Sequence, residues 1–410
     1  MMKKQTKLEW QRGILATGVL LGGLWLQSGE GLAASSTPSL VTQGYKATGV
    51  VQQAINSQNA QGATKKTTQQ VAKKSTKKKA APAVNSIITI QYNGTNGAAS
   101  NGTAIKANGI IKDGKTWVPI TFLRDALKMP VNYDVTKKMY TIGEDFHQFT
   151  IDVQDNNSLT LNGYFLNDLQ ATNINGHFYV PAQLLKQYLG YEAHLNAKDN
   201  IVSIKEAKQN DVSFTTQTKI ESKNGIDIDL AWPQIDYSKD SQVEERINQK
   251  ITDVIDAYEK EIKEQTVLRE KDKINSPYLF SSSYIVTYNQ KGIVSLILEQ
   301  YDFIGGAHGM TYRKALTFSL KDGKQLTVTD VIGNNNNLKQ INQSIKQQFE
   351  KSIEYFGGFK GIDNKADFYI EPGNLIVYFQ LYDYTPYVAG FPEFSFSLTK
   401  VISSDSKLFE

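Results

Sequence analysis

Two periods organise the apolar positions of this chain from residue 86 onward. Alternating or short continuous runs of β-branched and aromatic residues predict strands at Val212–Ile220, Ile226–Ala231, Tyr284–Tyr288, Ile293–Tyr301, Arg313–Leu320, Phe368–Ile370, Asn374–Tyr382 and Glu393–Lys400. Spacings of three and four predict two amphipathic helices. The first carries Val243, Ile247, Ile251, Ile255, Tyr258 and Ile262 on one stripe, with Glu245, Lys250, Asp253, Lys260 and Glu264 on its solvated face. The second carries Leu338, Ile341, Ile345, Phe349 and Ile353. Ser241-Gln242-Val243-Glu244 reads as a capping box for the first, and Asn334 to Asn337 can cap the second. Lys223-Asn224-Gly225 predicts a hairpin, and Pro233 is expected to end its second strand. Each helix needs a sheet to cover, so the two strand-helix-strand blocks read as α+β.

Upstream, residues 86 to 207 contain a repeat. Asp113-Gly114-Lys115-Thr116-Trp117-Val118-Pro119-Ile120 aligns without a gap on Asn175-Gly176-His177-Phe178-Tyr179-Val180-Pro181-Ala182, an offset of 62 that persists to Ile142/Ile204 and Glu144/Glu206. Each copy reads as turn, short strand, proline-started helix and closing strand. The helices carry Leu123 and Leu127, matched by Leu185 and Leu189, and the closing strands Met139 and Ile142, matched by Ile201 and Ile204. The fold class expected for the whole is α+β: an internally repeated small unit, then a two-block sheet-and-helix unit. Boundaries fall at 1–34, 35–85, 86–207, 211–310 and 311–402.

Charge changes this picture once it is divided. Of a net +4 over 410 residues, residues 1–44 carry +2 and residues 45–84 carry +8 with no acidic group, which leaves −6 on residues 85–410. Segment 35–85 holds Lys65, Lys66, Lys73, Lys74, Lys77, Lys78 and Lys79 among Ala, Gln, Thr and Ser, and reads as a disordered tail drawn to polyanions, or as a solubilising spacer. Residues 1–34 combine Lys3, Lys4, Lys7 and Arg12, an apolar run from Gly13 to Leu26, and small residues at Gly31-Leu32-Ala33, the composition of a secretory signal peptide. The run is shorter than the ~20 residues of a membrane span, with an uncleaved anchor as the alternative. Export makes nucleic acid an unsuitable partner. No cysteine is present, which removes disulfides, thiol catalysis and thiolate metal sites.

Two stretches concentrate candidate chemistry. Phe303-Ile304-Gly305-Gly306-Ala307-His308-Gly309-Met310 joins two predicted strands, and its glycines permit positive φ and close backbone approach around one of four histidines. Tyr382-Asp383-Tyr384-Thr385-Pro386-Tyr387-Val388-Ala389-Gly390 follows a third strand, with Pro386 and Gly390 forcing irregular backbone. The candidate ligand-binding residues are Gly305, Gly306, His308, Tyr382, Tyr384 and Tyr387. Blander readings stand beside this one: a glycine turn whose histidine bonds a neighbouring carbonyl, and tyrosines that finish a core.

These motifs carry a resemblance. Gly305-Gly306-Ala307-His308-Gly309, Leu320-Lys321-Asp322-Gly323-Lys324 with Asp330, and Tyr382 to Gly390 followed by Pro392-Glu393-Phe394 resemble the paired envelope domains of unknown function seen in peptidoglycan deacetylase C-type proteins and lysozyme-sensing anti-sigma factors. The repeat resembles the copper amine oxidase-like N-terminal domain, a stalk module of surface proteins. The resemblance implies an extracellular or cell-wall location and, as partner, a wall polymer or an envelope protein, including a lysozyme-like one.

Catalytic signatures are lacking. No His-x-x-x-His, Gly-x-Ser-x-Gly, Walker loop or dinucleotide fingerprint occurs, and His147, His177 and His194 show no ligand spacing, so no metal site and no cofactor are expected. Asp227 and Asp229 alternate on a strand and read as its solvent face. The expectation is a secreted, non-enzymatic protein whose C-terminal unit binds a wall glycan or a protein partner. The competing expectations are a wall- or sugar-modifying hydrolase or deacetylase-like enzyme using His308 with Asp302 or Asp383, and a surface scaffold.

Overall fold

The computed structural model describes residues 86–92, 104–402 and 408–409. The expected leader and lysine-rich tail lie outside them. Residues 86–207 form β1 (Ser86–Tyr92), β2 (Ile105–Lys112), β3 (Lys115–Pro119), α1 (Ile120–Asp125), β4 (Val131–Asp134), β5 (Met139–Ile142), β6 (Phe149–Asp152), β7 (Ser158–Leu161), β8 (Tyr164–Gln170), β9 (Thr172–Ile174), β10 (His177–Pro181), α2 (Ala182–Gln187), β11 (Tyr191–Asn196) and β12 (Ile201–Glu206). They make two sheets, ordered β11-β12-β1-β2-β3-β10-β9 and β4-β5-β6-β7-β8. The repeat becomes a local two-fold relation where β3 and β10 pair antiparallel: Val118 lies opposite Val180, its own counterpart, and Trp117 opposite Pro181. Pro119 and Pro181 take nearly identical backbone angles (φ −67 and −66) at the caps of α1 and α2. Lacking an N–H, each ends its strand and turns the chain into a helix. Leu123, Leu127, Leu185 and Leu189 are all buried, but α1 and α2 are shorter than expected and end before Leu127 and Leu189, which pack from the turns that follow.

The next unit is one sheet in chain order, β13 (Ser213–Lys223), β14 (Ile226–Asp236), β15 (Tyr278–Gln290), β16 (Ile293–Phe303) and β17 (Met310–Ser319), with α3 (Ser241–Lys271) as the crossover between the parallel pair β14 and β15. Asn224 and Gly225 both take positive φ (53 and 74), as a two-residue turn between twisted strands demands. All six apolar residues expected on the α3 stripe are buried against one face of the sheet. Three details differ from the expectations. β14 does not stop at Pro233, which pairs with Thr216; β15 accompanies β14 only as far as Leu230, so the missing N–H costs no ladder bond on that side. The cap of α3 is Asp240, whose carboxylate accepts from Gln242 and Val243, while Glu244 reaches back to the Tyr237 amide. β17 belongs to this sheet by its full pairing with β16, so the sheet runs past the boundary placed at residue 310.

The third unit contains α4 (Val328–Ile332), α5 (Asn335–Phe349), β18 (Phe368–Glu371), β19 (Asn374–Tyr378), β20 (Glu393–Ser397) and α6 (Leu398–Val401), with an antiparallel β18-β19-β20 sheet. Asn334 caps α5 through the Asn337 amide, but Ile353 falls beyond the helix and is fully exposed. The α+β class expected from the sequence is the class observed.

Candidate functional site

The three units meet around a cleft of about 1140 Å³. β7, β8 and α2 supply one wall, β14 to β17 the base, and β18 to β20 with the loop after Leu381 the other wall. The β7–β8 turn at Asn162-Gly163 docks on the base through a parallel bridge from Gly163 to Tyr284.

Arg313 of β17 is the hub. Its side chain is 6% exposed, and it lies directly across the β16–β17 pair from Glu299. Its Nε donates to Glu299 Oε1 at 2.9 Å, and Nη2 donates to the Tyr164 hydroxyl at 3.1 Å. Tyr164 in turn donates to Glu299 at 3.0 Å, and Nη1 of Arg313 donates to Glu393. Phe391 lies under the guanidinium at 4.2 Å from its ring centre. One cation therefore ties β16, β17, β8 and β20 together. Burial opposes its charge, but Tyr164, Glu299 and Glu393 more than offset that and hold the proton more firmly than usual. The outer edge of β17 is closed by side chains rather than by another strand. Gln380 accepts from the Arg313 amide and donates to its carbonyl, and Tyr378 accepts from the Ala315 amide.

The glycine loop and the tyrosine loop meet beside this cleft. Gly305 and Gly306 take φ of 91 and 97. A side chain at Gly309 would collide with the Asp302 carbonyl and the Tyr301 ring, so the chain closes there on glycine alone. His308 stacks on Tyr387 with ring centres 4.4 Å apart; its Nε2 lies 3.5 Å from the Tyr382 hydroxyl and its Nδ1 2.9 Å from the Gly309 carbonyl. Tyr382 takes φ 67, a conformation bulky residues rarely adopt, to bring its ring there. Tyr384 turns the other way and packs its ring on Phe349, Phe359 and Phe379, inside the third unit. Tyr387, Val388 and Ala389 line the cleft, so one short segment serves both the histidine and the cleft wall.

The bonds His308 makes among the described residues are to Gly309 and Tyr382, and Asp383 accepts from the Gln380 amide. Among the described residues His308 makes no bond to Asp302 or Asp383. Asp302 is pushed up to about 6 by burial, partly relieved by bonds from backbone amides. In the unfolded chain it titrates near its ordinary ~3.9, so between those values the folded state holds the extra proton and stability falls as pH rises through the window. Asp302→Asn is therefore expected to stabilise the protein at pH 7 by up to about 3 kcal/mol and to flatten the pH dependence between about pH 4 and 6, measured by urea unfolding across pH.

The second acidic candidate needs correction. Asp229 is not on a solvent face but buried at the cleft base, while Asp227 accepts from Ser222 near the strand end. The remaining histidines stand apart in role: His147 lies tilted against Phe146 and burial pushes it down to about 4, His194 pairs with Glu192, and His177 is exposed. Among the described residues no His, Asp and Glu group is placed to hold a metal ion, so the donors do not fit copper or a hydrolytic metal. Sequence reasoning missed Arg313, Glu299, Tyr164 and Tyr188. The available signal was Glu299 and Arg313 inside otherwise apolar strands, where an unpaired charge is rarely buried.

Three family models match separate stretches: Copper amine oxidase N-terminal domain at residues 98–204, Deacetylase PdaC at residues 220–311, and a protein of unknown function, DUF3298, at residues 329–399. The chain thus carries all three domains that its motifs resemble. No curated protein matches the chain. Solved structures that match include a DUF3298 family member from Bacteroides fragilis, 16% identical with a TM-score of 0.39, covering 47% of this chain and 93% of that one. A DUF3298 family protein from Pseudomonas aeruginosa is 14% identical with a TM-score of 0.31, covering 48% of this chain and 95% of that one. Among the described residues no helix is long and apolar enough to cross a membrane.

Proposed function

We propose that this protein is a non-enzymatic component of the cell envelope that holds a wall glycan in the cleft between its repeat unit and its two C-terminal units. The observation that carries this reading is the cleft lining. Carboxylates, side-chain amides such as Asn167 and Gln183, and hydroxyls of Ser281 and Ser283 alternate with the rings of Phe165, Tyr387 and Phe391. Sugars present hydroxyls around their edges and C–H groups on their faces, so a polar wall with interspersed rings matches them on both counts. At about 1140 Å³ the space exceeds the ~300–1,000 Å³ usual for a small molecule and suits an oligomer. The PdaC and DUF3298 domain content supports an envelope setting, with the N-terminal leader as the route of export. The repeat unit serves as stalk and as one wall of the site.

The test is cosedimentation with purified peptidoglycan. Wild-type protein is expected to pellet with the wall, and Phe165→Ala to bind about tenfold more weakly, the ~1.4 kcal/mol scale of one lost aromatic contact. Undiminished binding by this variant would remove the cleft from the account. A protein partner is the second reading, favoured by Val388, which is 64% exposed beside Tyr387 on the same segment.

A further inference from the structure

We propose that the repeat unit carries a second glycan site, a hollow of about 380 Å³ beside α1 that is the first copy's counterpart of the wall the second copy contributes to the cleft. This rests on the glycan reading above and makes the protein bivalent for its polymer. The two copies of the repeat are equivalent in space as well as in sequence. Ile110 lies opposite Trp117 and Lys112 opposite Lys115 in the β2–β3 hairpin; Thr172 lies opposite Tyr179 and Ile174 opposite His177 in β9–β10, each position 62 residues on. Two residues before Ile110 and Thr172 stand Asn108 and Gln170, and the first turns of α1 and α2 carry Thr121 and Gln183. Gln170 and Gln183 line the cleft, whereas their counterparts Asn108 and Thr121 line the hollow. Leu169 in the cleft and Ala107 in the hollow repeat the relation.

All four polar side chains are exposed, and among the described residues none of them is engaged in a side-chain hydrogen bond within the protein. Each copy thus presents a carboxamide and a second neutral polar group, both open to a ligand, at the same two places. What faces them differs. Across the cleft stand the two C-terminal units; across the hollow stand Tyr140 of β5, whose ring centre lies 5.0 Å from that of Phe178, and Tyr179 of β10. A sugar therefore meets hydrogen-bonding groups along its edge and aromatic rings against its C–H face. No carboxylate lines the hollow, and Arg124 stands at it, so the acetamido carbonyl of an N-acetylated sugar meets donors rather than like charge. The volume lies at the lower end of the ~300–1,000 Å³ usual for a small ligand, which suits a short glycan segment where the cleft takes a longer one.

Calorimetric titration of the full-length protein with the tetramer of β-1,4-linked N-acetylglucosamine tests this. Two tetramers are expected to bind each chain. Asn108→Ala combined with Thr121→Ala, both at exposed positions, is expected to weaken one of the two events about tenfold, the scale of two neutral hydrogen bonds, and to leave the thermal unfolding midpoint at its wild-type value. Phe165→Ala is expected to weaken the other event and spare this one. A single event that responds only to Phe165→Ala, or two events that the Asn108 and Thr121 double variant leaves unchanged, would overturn the second site while keeping the cleft. A single event that responds only to the double variant would keep the hollow and overturn the cleft. Absence of binding by the wild-type protein would overturn both.

Discussion

Replacing Arg313 with Met is expected to lower the free energy of unfolding by about 3–5 kcal/mol, because the substitution leaves buried carboxylates without their cation. Most of the loss comes from Glu299, the more enclosed partner at 16% exposure; Glu393, at 35%, regains water in part. The Tyr164 hydroxyl loses a donor at the same time, so the joint between β8 and β17 opens as well. Removing the charges together should recover much of the loss: Glu299→Gln with Arg313→Met restores a neutral pair of similar volume. Chemical denaturation of the single and double variants measures both. A single-variant loss below about 1 kcal/mol would mean that the hub is not holding the units together.

The second large effect concerns the tyrosine segment. Phe349 ends α5 and is the ring on which the third unit closes, with Tyr355, Phe394 and Tyr384 at 4.6, 4.7 and 5.2 Å between centres. Phe349→Ala is expected to cost about 3–5 kcal/mol, as large-to-small changes in a packed aromatic core do. It also removes the surface that anchors Tyr384, and so loosens Tyr382 and Tyr387, which lie two residues before and three after it. Ligand affinity is therefore expected to fall in the variant at temperatures where it is still folded. Tyr384→Phe keeps the ring and should leave both stability and binding close to wild type, as expected if that residue acts through packing. A binding assay on the two variants separates the roles.

Much of this architecture could be read from the residues because its signals are local. The Pro-started helices, the Asn224-Gly225 turn and the α3 stripe each depend on a few neighbouring side chains, and each formed where expected. Local signals also explain the misplacements. Pro233 reads as a strand end in isolation, but whether a missing N–H matters depends on where β15 departs, which is a property of the sheet. Ser241 and Asp240 are both good caps, and the choice between them was made by how α3 lies on the sheet.

The candidate site was legible by halves. Glycines and a histidine between strands pointed to a shaped loop, and Tyr382 and Tyr387 do join His308. Tyr384 shares their composition and neighbourhood but alternates to the opposite side, into the Phe349 cluster. The cleft itself was hidden because its walls come from residues 155–188, 229–313 and 369–395, brought together only by packing of three units. Glu299 and Arg313 lie 14 positions apart and Tyr164 a further 135 upstream of Glu299, so no spacing rule links them.

Hydrogen exchange of the full-length protein with and without saturating soluble peptidoglycan fragments shows where the glycan sits. Slowed exchange is expected in the β7–β8 turn and β8, in Ser281–Ser283 of β15 and in Tyr387–Phe391, three separated stretches that meet at the cleft. Protection confined to other surfaces, or no protection under conditions where binding is otherwise detected, would contradict a glycan site in the cleft.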